Sequence, residues 1–330
     1  MSATAPTAPT PPAAADVATS AAALALVGRL RANLTSVIRG KEREVDRLIT
    51  AFLAGGNVLL TDVPGVGKTT LAKAVAASFR GVFHRVQFTP DLLPADVTGG
   101  AIYDPRSGTF SFRRGPVFAN VLLADEVNRA SPRTQSALLE AMAEGQVSVE
   151  GEAYQLPRPF WVIATQNPVE HHGTYPLPEA QLDRFSVELA MGYPSPEEEL
   201  RVLSAHDQGS PLERLQPVTT PEEVLAVQER VRRTHVDEDV GRYIVRLLER
   251  TRKEPRVALG VSPRGGIALY RMAQAHAVQA GREAVQPDDV QAVAVQTLAH
   301  RLVLETKARY SGTSKTTLVR ELLDSTPVPT

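Results

Sequence analysis

The chain has 330 residues, enough for two packed domains or one large domain with an appendage. Apolar residues make up 43% and charged residues 22%, and no apolar run approaches the roughly 20 residues that cross a bilayer, so no helical membrane span is expected. A net charge of −1 excludes a molecule that is basic throughout, and the absence of cysteine excludes disulfides and thiolate metal sites; a reducing, cytoplasmic setting is expected.

Residues 1–22 are Ala, Pro and Thr with little else, cannot bury enough apolar surface to order themselves, and are expected to be a disordered tail. The run Ala21–Val27 is not read as a signal-peptide core, because no Lys or Arg precedes it and it continues into a helical pattern with Arg29 and Arg31. That pattern spans Leu24 to Leu53, with a break near Arg39-Gly40. Asn57–Thr61 then reads as a buried strand entering a Gly-rich turn, and Lys68–Phe79 as a helix burying Leu71, Ala72 and Val75. Phe83–Phe88 is a second strand; Ala101–Tyr103 and Thr109–Arg113 flank a loop and read as a hairpin. Asn120–Ala124 is a buried strand, and Ser131 caps a helix with Pro132 at its first position and Gly145 at its end. Gln146–Val149 and Ala153–Leu156 form another hairpin, and Phe160–Thr165 a further buried strand.

Strands alternating with helices predict a parallel sheet with helices on both faces, a three-layer α/β/α core over 23–195 that includes the hairpin region near 90–115. Beyond Ser195 the strand signals stop. Ser195-Pro196-Glu197-Glu198 and Thr220-Pro221-Glu222-Glu223 are capping boxes, and helical patterns run over 221–233, 238–252, 264–280 and 287–306. An all-helical second domain is expected over 196–310, followed by a C-terminal tail over 311–330, with no internal repeat.

The strand, loop and helix from Asn57 to Phe79 carry Pro64-Gly65-Val66-Gly67-Lys68-Thr69-Thr70. A Gly-rich loop at a strand end turns backbone N–H groups toward phosphates, and the following helix adds its positive end. Lys68 would reach the β- and γ-phosphates and Thr69 would give a hydroxyl to Mg²⁺, so ATP and Mg²⁺ are the expected ligands. Where the full motif has a glycine, this chain has Asp62, whose carboxylate would repel phosphates unless it turns away into loop hydrogen bonds; Asp also tolerates a left-handed backbone. No Asn-Lys-x-Asp guanine motif occurs, which disfavours a GTPase. Val121–Ala124 delivers Asp125 and Glu126 to the carboxyl edge of the sheet. Either they are solvated acids at a strand end, or Asp125 holds Mg²⁺ through water and Glu126 deprotonates the attacking water.

Six stretches in order now resemble the AAA+ ATPases and, within them, the MoxR family: Val63–Thr69, Leu123–Ala130, Gln135–Met142, Ala164–Pro168, Leu182–Phe185 and Ser262–Arg264. The resemblance covers about Val37 to Leu304 and implies further roles. Asn167 matches sensor 1, which contacts the γ-phosphate or attacking water; the alternative is a turn-forming Asn before Pro168. Arg184 matches the arginine finger that acts on a neighbouring subunit's nucleotide, with Arg129 and Arg133 as other candidates and a local salt bridge to Asp183 as the plain alternative. Arg264 matches sensor 2; it falls in the first turn of a helix capped by Ser262, where a cation opposes the helix dipole and a phosphate would relieve the conflict, or else it extends into solvent. Gly40, with Arg39, falls where the family holds adenine, the hairpin region near 90–115 matches the place where the family carries an insertion, and 146–156 corresponds to an extra hairpin of this clade. Phe110 and Phe112 alternate in the insertion and share a face, gripping a partner at a central pore or packing on the core.

By the same resemblance the protein is expected to form a homo-oligomeric, hexameric ring that remodels a partner carrying a von Willebrand factor A domain and assists cofactor or metal insertion. A chelatase-type ATPase subunit is a second reading. A nucleic-acid motor is a third, against which stand the near-zero charge and the lack of a basic tail. A nucleotide kinase is disfavoured, having no need for Glu126, Asn167 and Arg184 together.

Overall fold

The computed structural model describes residues 20–63, 65–106, 108–167, 174–200 and 211–329. Pro64, Pro168 and the expected tail up to residue 19 lie outside these. Two helices, α1 (Ser20–Val37) and α2 (Glu42–Leu53), precede the core, so the chain is helical three residues earlier than the tail boundary expected from composition. The core sheet consists of β1 (Val58–Thr61), β2 (Phe83–Gln87), β5 (Val121–Asp125), β8 (Trp161–Gln166) and β9 (Val187–Leu189). Their order across the sheet is β2-β5-β8-β1-β9, every pairing parallel.

Successive side chains of these strands feed two separate cores, because the side-chain period of a strand is two. Val121, Leu123, Trp161 and Ile163 face the cluster holding α1, α2 and α3 (Lys68–Ser78). Leu122, Ala124, Val162 and Ala164 face the cluster built on α4 (Pro94–Thr98) and α5 (Pro132–Glu144). A parallel sheet covered on both faces reads as continuous apolar runs, which is why β5 and β8 were visible in the sequence. Ser131 caps α5 by accepting from the Thr134 N–H at 3.4 Å, and Gly145 ends it in a left-handed conformation.

Two antiparallel hairpins project from the core: β3 (Gly99–Asp104) with β4 (Thr109–Arg114), and β6 (Gln146–Val149) with β7 (Glu152–Gln155). They touch through Phe112, whose ring stacks on Tyr154 with centroids 4.1 Å apart.

After a short α6 (Glu179–Leu182) and β9, the second unit contains α7 (Pro221–Arg232), α8 (Glu238–Lys253), α9 (Pro263–Gln279) and α10 (Pro287–Leu298). This helical lid differs from expectation in three details. Two short ribbons join its helices, β10 (His235–Val236) with β12 (Ala284–Val285) and β11 (Val257–Leu259) with β13 (Val303–Leu304). The fourth helical pattern ends at Leu298 rather than 306, passing through a 3₁₀ turn at Ala299–Arg301 into β13. Residues expected as a tail instead follow α11 (Thr306–Tyr310) as α12 (Lys315–Asp324), which buries Leu318, Val319, Leu322 and Leu323 against the lid. Among the described residues no helix is long and apolar enough to cross a membrane.

Candidate functional site

β1 delivers the Gly-rich loop to the carboxyl edge of the sheet. Gly65 and Gly67 adopt φ of 85° and 88°, a region that favours glycine, and Gly67 is the N-cap of α3. A Cβ on either would meet nothing within 4 Å, so glycine is required for conformation while the space above the loop stays open to a ligand. Gly65, Gly67, Lys68, Thr69 and Thr70 line one side of a cleft of about 370 Å³. The Lys68 ammonium donates to the Asp62 carbonyl at 3.1 Å.

Asp62 faces away from this cleft. It is buried, and one carboxylate oxygen accepts from the backbone N–H groups of Met191 and Gly192, the latter at 3.0 Å, while the other accepts from the Val63 N–H at 3.1 Å. The residue thus ties the loop to the segment after β9. It does not use the left-handed tolerance of Asp: among described non-glycine residues only Arg80, Glu126 and Glu150 have positive φ.

Asp125, Glu126 and Asn167 line the opposite side of the cleft. Asp125 ends β5 and accepts from the Thr165 hydroxyl at 2.5 Å. Glu126 sits in the left-handed region with φ 56°, held there by its N–H donating to Thr165 Oγ1 at 2.9 Å. Such a conformation costs about 1–3 kcal/mol and turns the side chain off the strand axis into the cleft. Asn167 is buried at the end of β8.

Two cleft residues were absent from the sequence reading. Arg85 and Gln87 alternate along β2 and share the face toward the cleft. Arg85 grips the other oxygen of Asp125 with Nη2 at 2.6 Å and Nε at 3.2 Å. Gln87 donates to Glu126 at 2.7 Å, and Arg129 pairs with the same Glu126 oxygen at 3.0 Å. The only signal for them was the two-residue period of β2; its value depended on knowing that β2 neighbours β5.

The cleft suits a phosphate chain with a hard cation. Among the described residues no group of three His, Asp or Glu side chains could hold a metal alone. Mg²⁺ characteristically takes one or two carboxylates and completes its shell with water and phosphate oxygens, and Thr69 and Asp125 are of the right type for that arrangement.

Arg184 and Arg264 are elsewhere. Both line a cavity of about 220 Å³ with Gly55, Gly56, Arg271 and Arg301. Gly56 precedes β1 and Ser186 precedes β9, so this is the amino edge of the sheet. The phosphate loop follows the other end of β1, a strand of four residues, roughly 13 Å long. Arg184 makes no salt bridge with Asp183; it donates to the Leu139 carbonyl at 3.1 Å. Asp183 instead pairs with Arg301 at 2.7 Å and accepts from Ser262, the cap of α9, at 2.7 Å. Burial pulls the Arg301 guanidinium below its ordinary pKa range, and Asp183 works against that. Arg264 is exposed on the first turn of α9 and has no ion-pair partner among the described residues. Of the other finger candidates, Arg129 is engaged by Glu126 and Arg133 is exposed at the start of α5. Gly40 sits in the turn between α1 and α2, with the Glu198 carboxylate against it; Lys41 joins this turn to the Tyr193 carbonyl at 2.8 Å.

Residues 57–187 match the family described as ATPase family associated with various cellular activities (AAA), and residues 249–322 match the AAA lid domain. The chain is 50% identical to the Bacillus subtilis (strain 168) protein YeaC, over 92% of this chain and 95% of that one. It is 40% identical to Chaperone MoxR1 of Mycobacterium tuberculosis, over 89% and 80% of the two chains, and 34% identical to Protein MoxR of Paracoccus denitrificans, over 83% and 87%. A crystal structure of a Cytophaga hutchinsonii protein assigned as an ATPase superposes with a TM-score of 0.88 at 35% identity, covering 96% of this chain and 98% of the other. With the loop, the paired acids, the parallel sheet order and the helical lid in place, these likenesses make the chain a member of the MoxR family of AAA+ ATPases.

Proposed function

We propose that the chain hydrolyses ATP with Mg²⁺ in the carboxyl-edge cleft, and does so as a hexameric ring of its own copies that works on a partner protein. The observation that carries this reading is the division of the site: Lys68, Asp125, Glu126 and Asn167 line one cleft, whereas Arg184 and Arg264 line a cavity at the other edge of the sheet. Neither arginine serves the phosphates of its own chain. A head-to-tail neighbour brings its arginine face to the cleft, and a repeated contact of that kind closes into a ring.

Within the cleft, the loop from Gly65 through Val66 and Gly67 to Thr70 cradles the phosphates, Lys68 neutralises them, and Gly40 borders the adenine. Pro64 belongs to the same loop by sequence. Thr69 and Asp125 hold Mg²⁺, which when bound offsets charge on the β- and γ-oxygens. Glu126 takes the proton of the attacking water, Asn167 positions that water, and the neighbour's copy of Arg184 stabilises the developing charge. Arg264 reaches the same nucleotide.

The relative named as a chaperone supports protein remodelling as the output. Phe110, 73% exposed and in tilted contact with Tyr103 at 5.2 Å between ring centroids, offers an aromatic surface for a partner polypeptide, while Phe112 on the same face packs inward. A von Willebrand factor A partner, cofactor or metal insertion as the work performed, and a cytoplasmic setting follow the family resemblance.

Turnover measured against protein concentration, with assembly size from light scattering, tests the reading. Lys68→Ala is expected to lose about 3 kcal/mol of nucleotide binding, roughly a hundredfold. Glu126→Gln keeps binding and loses about 10²- to 10⁴-fold in kcat. Arg184→Ala also keeps binding and loses about 10³-fold or more. Specific activity that stays constant as the assembly is diluted to monomers would refute the shared site.

A further inference from the structure

Arg301 is almost wholly enclosed, its side chain 2% exposed, at the end of the 3₁₀ turn after α10. A guanidinium in that position is costly to bury, and it is retained here with nearly every donor satisfied. Besides the Thr297 carbonyl and the His300 Nε2 within its own turn, both met by Nη1, its partners lie around one residue. Nε donates to Asp183 Oδ1 at 2.7 Å, Nη2 to the carbonyls of Asp183 at 3.2 Å and Phe185 at 2.6 Å, and Nη1 to the carbonyl of Ser186 at 3.2 Å. The neighbouring His300 places Nε2 3.1 Å from the Phe185 carbonyl. These are the backbone and side-chain groups on either side of Arg184.

The second oxygen of Asp183 accepts from the Ser262 hydroxyl at 2.7 Å, and that hydroxyl accepts from the Gly265 N–H at 3.1 Å, capping the helix that presents Arg264. A Cβ on Gly265 would lie 2.7 Å from Arg301 Cδ, so the arginine stem runs directly across the start of that helix. One carboxylate thus joins three segments: the stretch bearing Arg184, the helix bearing Arg264, and the lid turn bearing Arg301.

We infer that Asp183 and Arg301 are positioning residues that fix Arg184 and Arg264 to one another, so that the two arginines reach a neighbouring copy's nucleotide as a single rigid unit clamped across the junction of core and lid. The inference rests on the trans-acting reading above. It predicts a defect in what a subunit gives its neighbour, not in what it does with its own nucleotide. A misplacement of about 1 Å at a reacting centre costs roughly a hundredfold, which sets the scale of the effect.

The test uses full-length chains. Asp183→Asn keeps the side-chain shape and removes the charge facing Arg301. Its affinity for a fluorescent ATP analogue should match the parent's, and its kcat should fall roughly a hundredfold. Mixed with Glu126→Gln chains, which are inactive but carry an intact arginine face, it should regain turnover above either protein alone. Arg184→Ala mixed with Glu126→Gln is the control. If the control recovers and Asp183→Asn does not, or if Asp183→Asn alone turns over like the parent, the positioning role is wrong while the trans-acting reading stands. If the control fails to recover, the trans-acting reading itself falls, and this inference with it. Should Asp183→Asn lose its own nucleotide binding, Ser262→Ala, which leaves the Asp183–Arg301 pair in place and removes the link to the Arg264 helix together with its cap, must show the same rescue or the inference is overturned.

Discussion

At Asp62 a residue that looks wrong for a phosphate loop proves to be structural. A carboxylate beside phosphates would weaken binding, but this one is spent on three backbone N–H groups, two of them beyond β9. Restoring the motif's glycine should therefore not improve binding. Asp62→Gly is expected to change ATP affinity by less than about threefold while lowering stability by roughly 2–4 kcal/mol, because the Met191 and Gly192 N–H groups lose their acceptor. Denaturant midpoints and nucleotide titrations check both halves, and a gain in affinity above about tenfold would show that the carboxylate does face the phosphates. Glu126 and Asp125 could be assigned from their position after an apolar run. Arg85 and Gln87 could not, since they meet the acids only through the pairing of β2 with β5, which joins Gln87 to Asp125 in register.

Whole elements were legible where one physical signal dominated. The central strands announce themselves because both of their faces are buried, and α5 because Ser131, Pro132 and Gly145 mark its ends. β9 was missed because three residues interrupted by Glu188 form neither an apolar run nor a resolvable alternation. The lid ribbons of two or three residues are set by the packing of the helices they join, for which local sequence holds no period. One lid element has a measurable acid dependence. Asp289, at the start of α10, is fully buried and accepts from His276 at 2.6 Å, from the Gln286 N–H at 2.8 Å and from Arg282. Burial alone would raise its pKa, but these three donors outweigh it and hold the carboxyl below the usual range. A depressed carboxyl stabilises the fold above the unfolded-state value of about 3.9, and that stability is lost as pH falls through the lower folded-state value. Asp289→Asn should therefore lose roughly 2–4 kcal/mol at pH 7, and its deficit relative to the parent should shrink below about pH 4 when urea midpoints are compared.

On the scale of the whole molecule, the motif order was enough to foresee a nucleotide core followed by a helical lid. What local sequence could not supply was the placement of that lid, which determines which edge of the sheet Arg264 joins. The pairing of Arg85 with Asp125 bears on this scale too. Arg85 is a counter-ion built into the chain, so Asp125 is already paired and free magnesium finds little to hold. Thermal denaturation should show it: Mg²⁺ alone should leave the Tm of the nucleotide-free parent within about 1 °C, and should raise that of Arg85→Met by several degrees. A cation that reaches Asp125 therefore competes with a guanidinium already fixed to the same chain, and the magnesium level alone should not set the charge of this edge of the sheet.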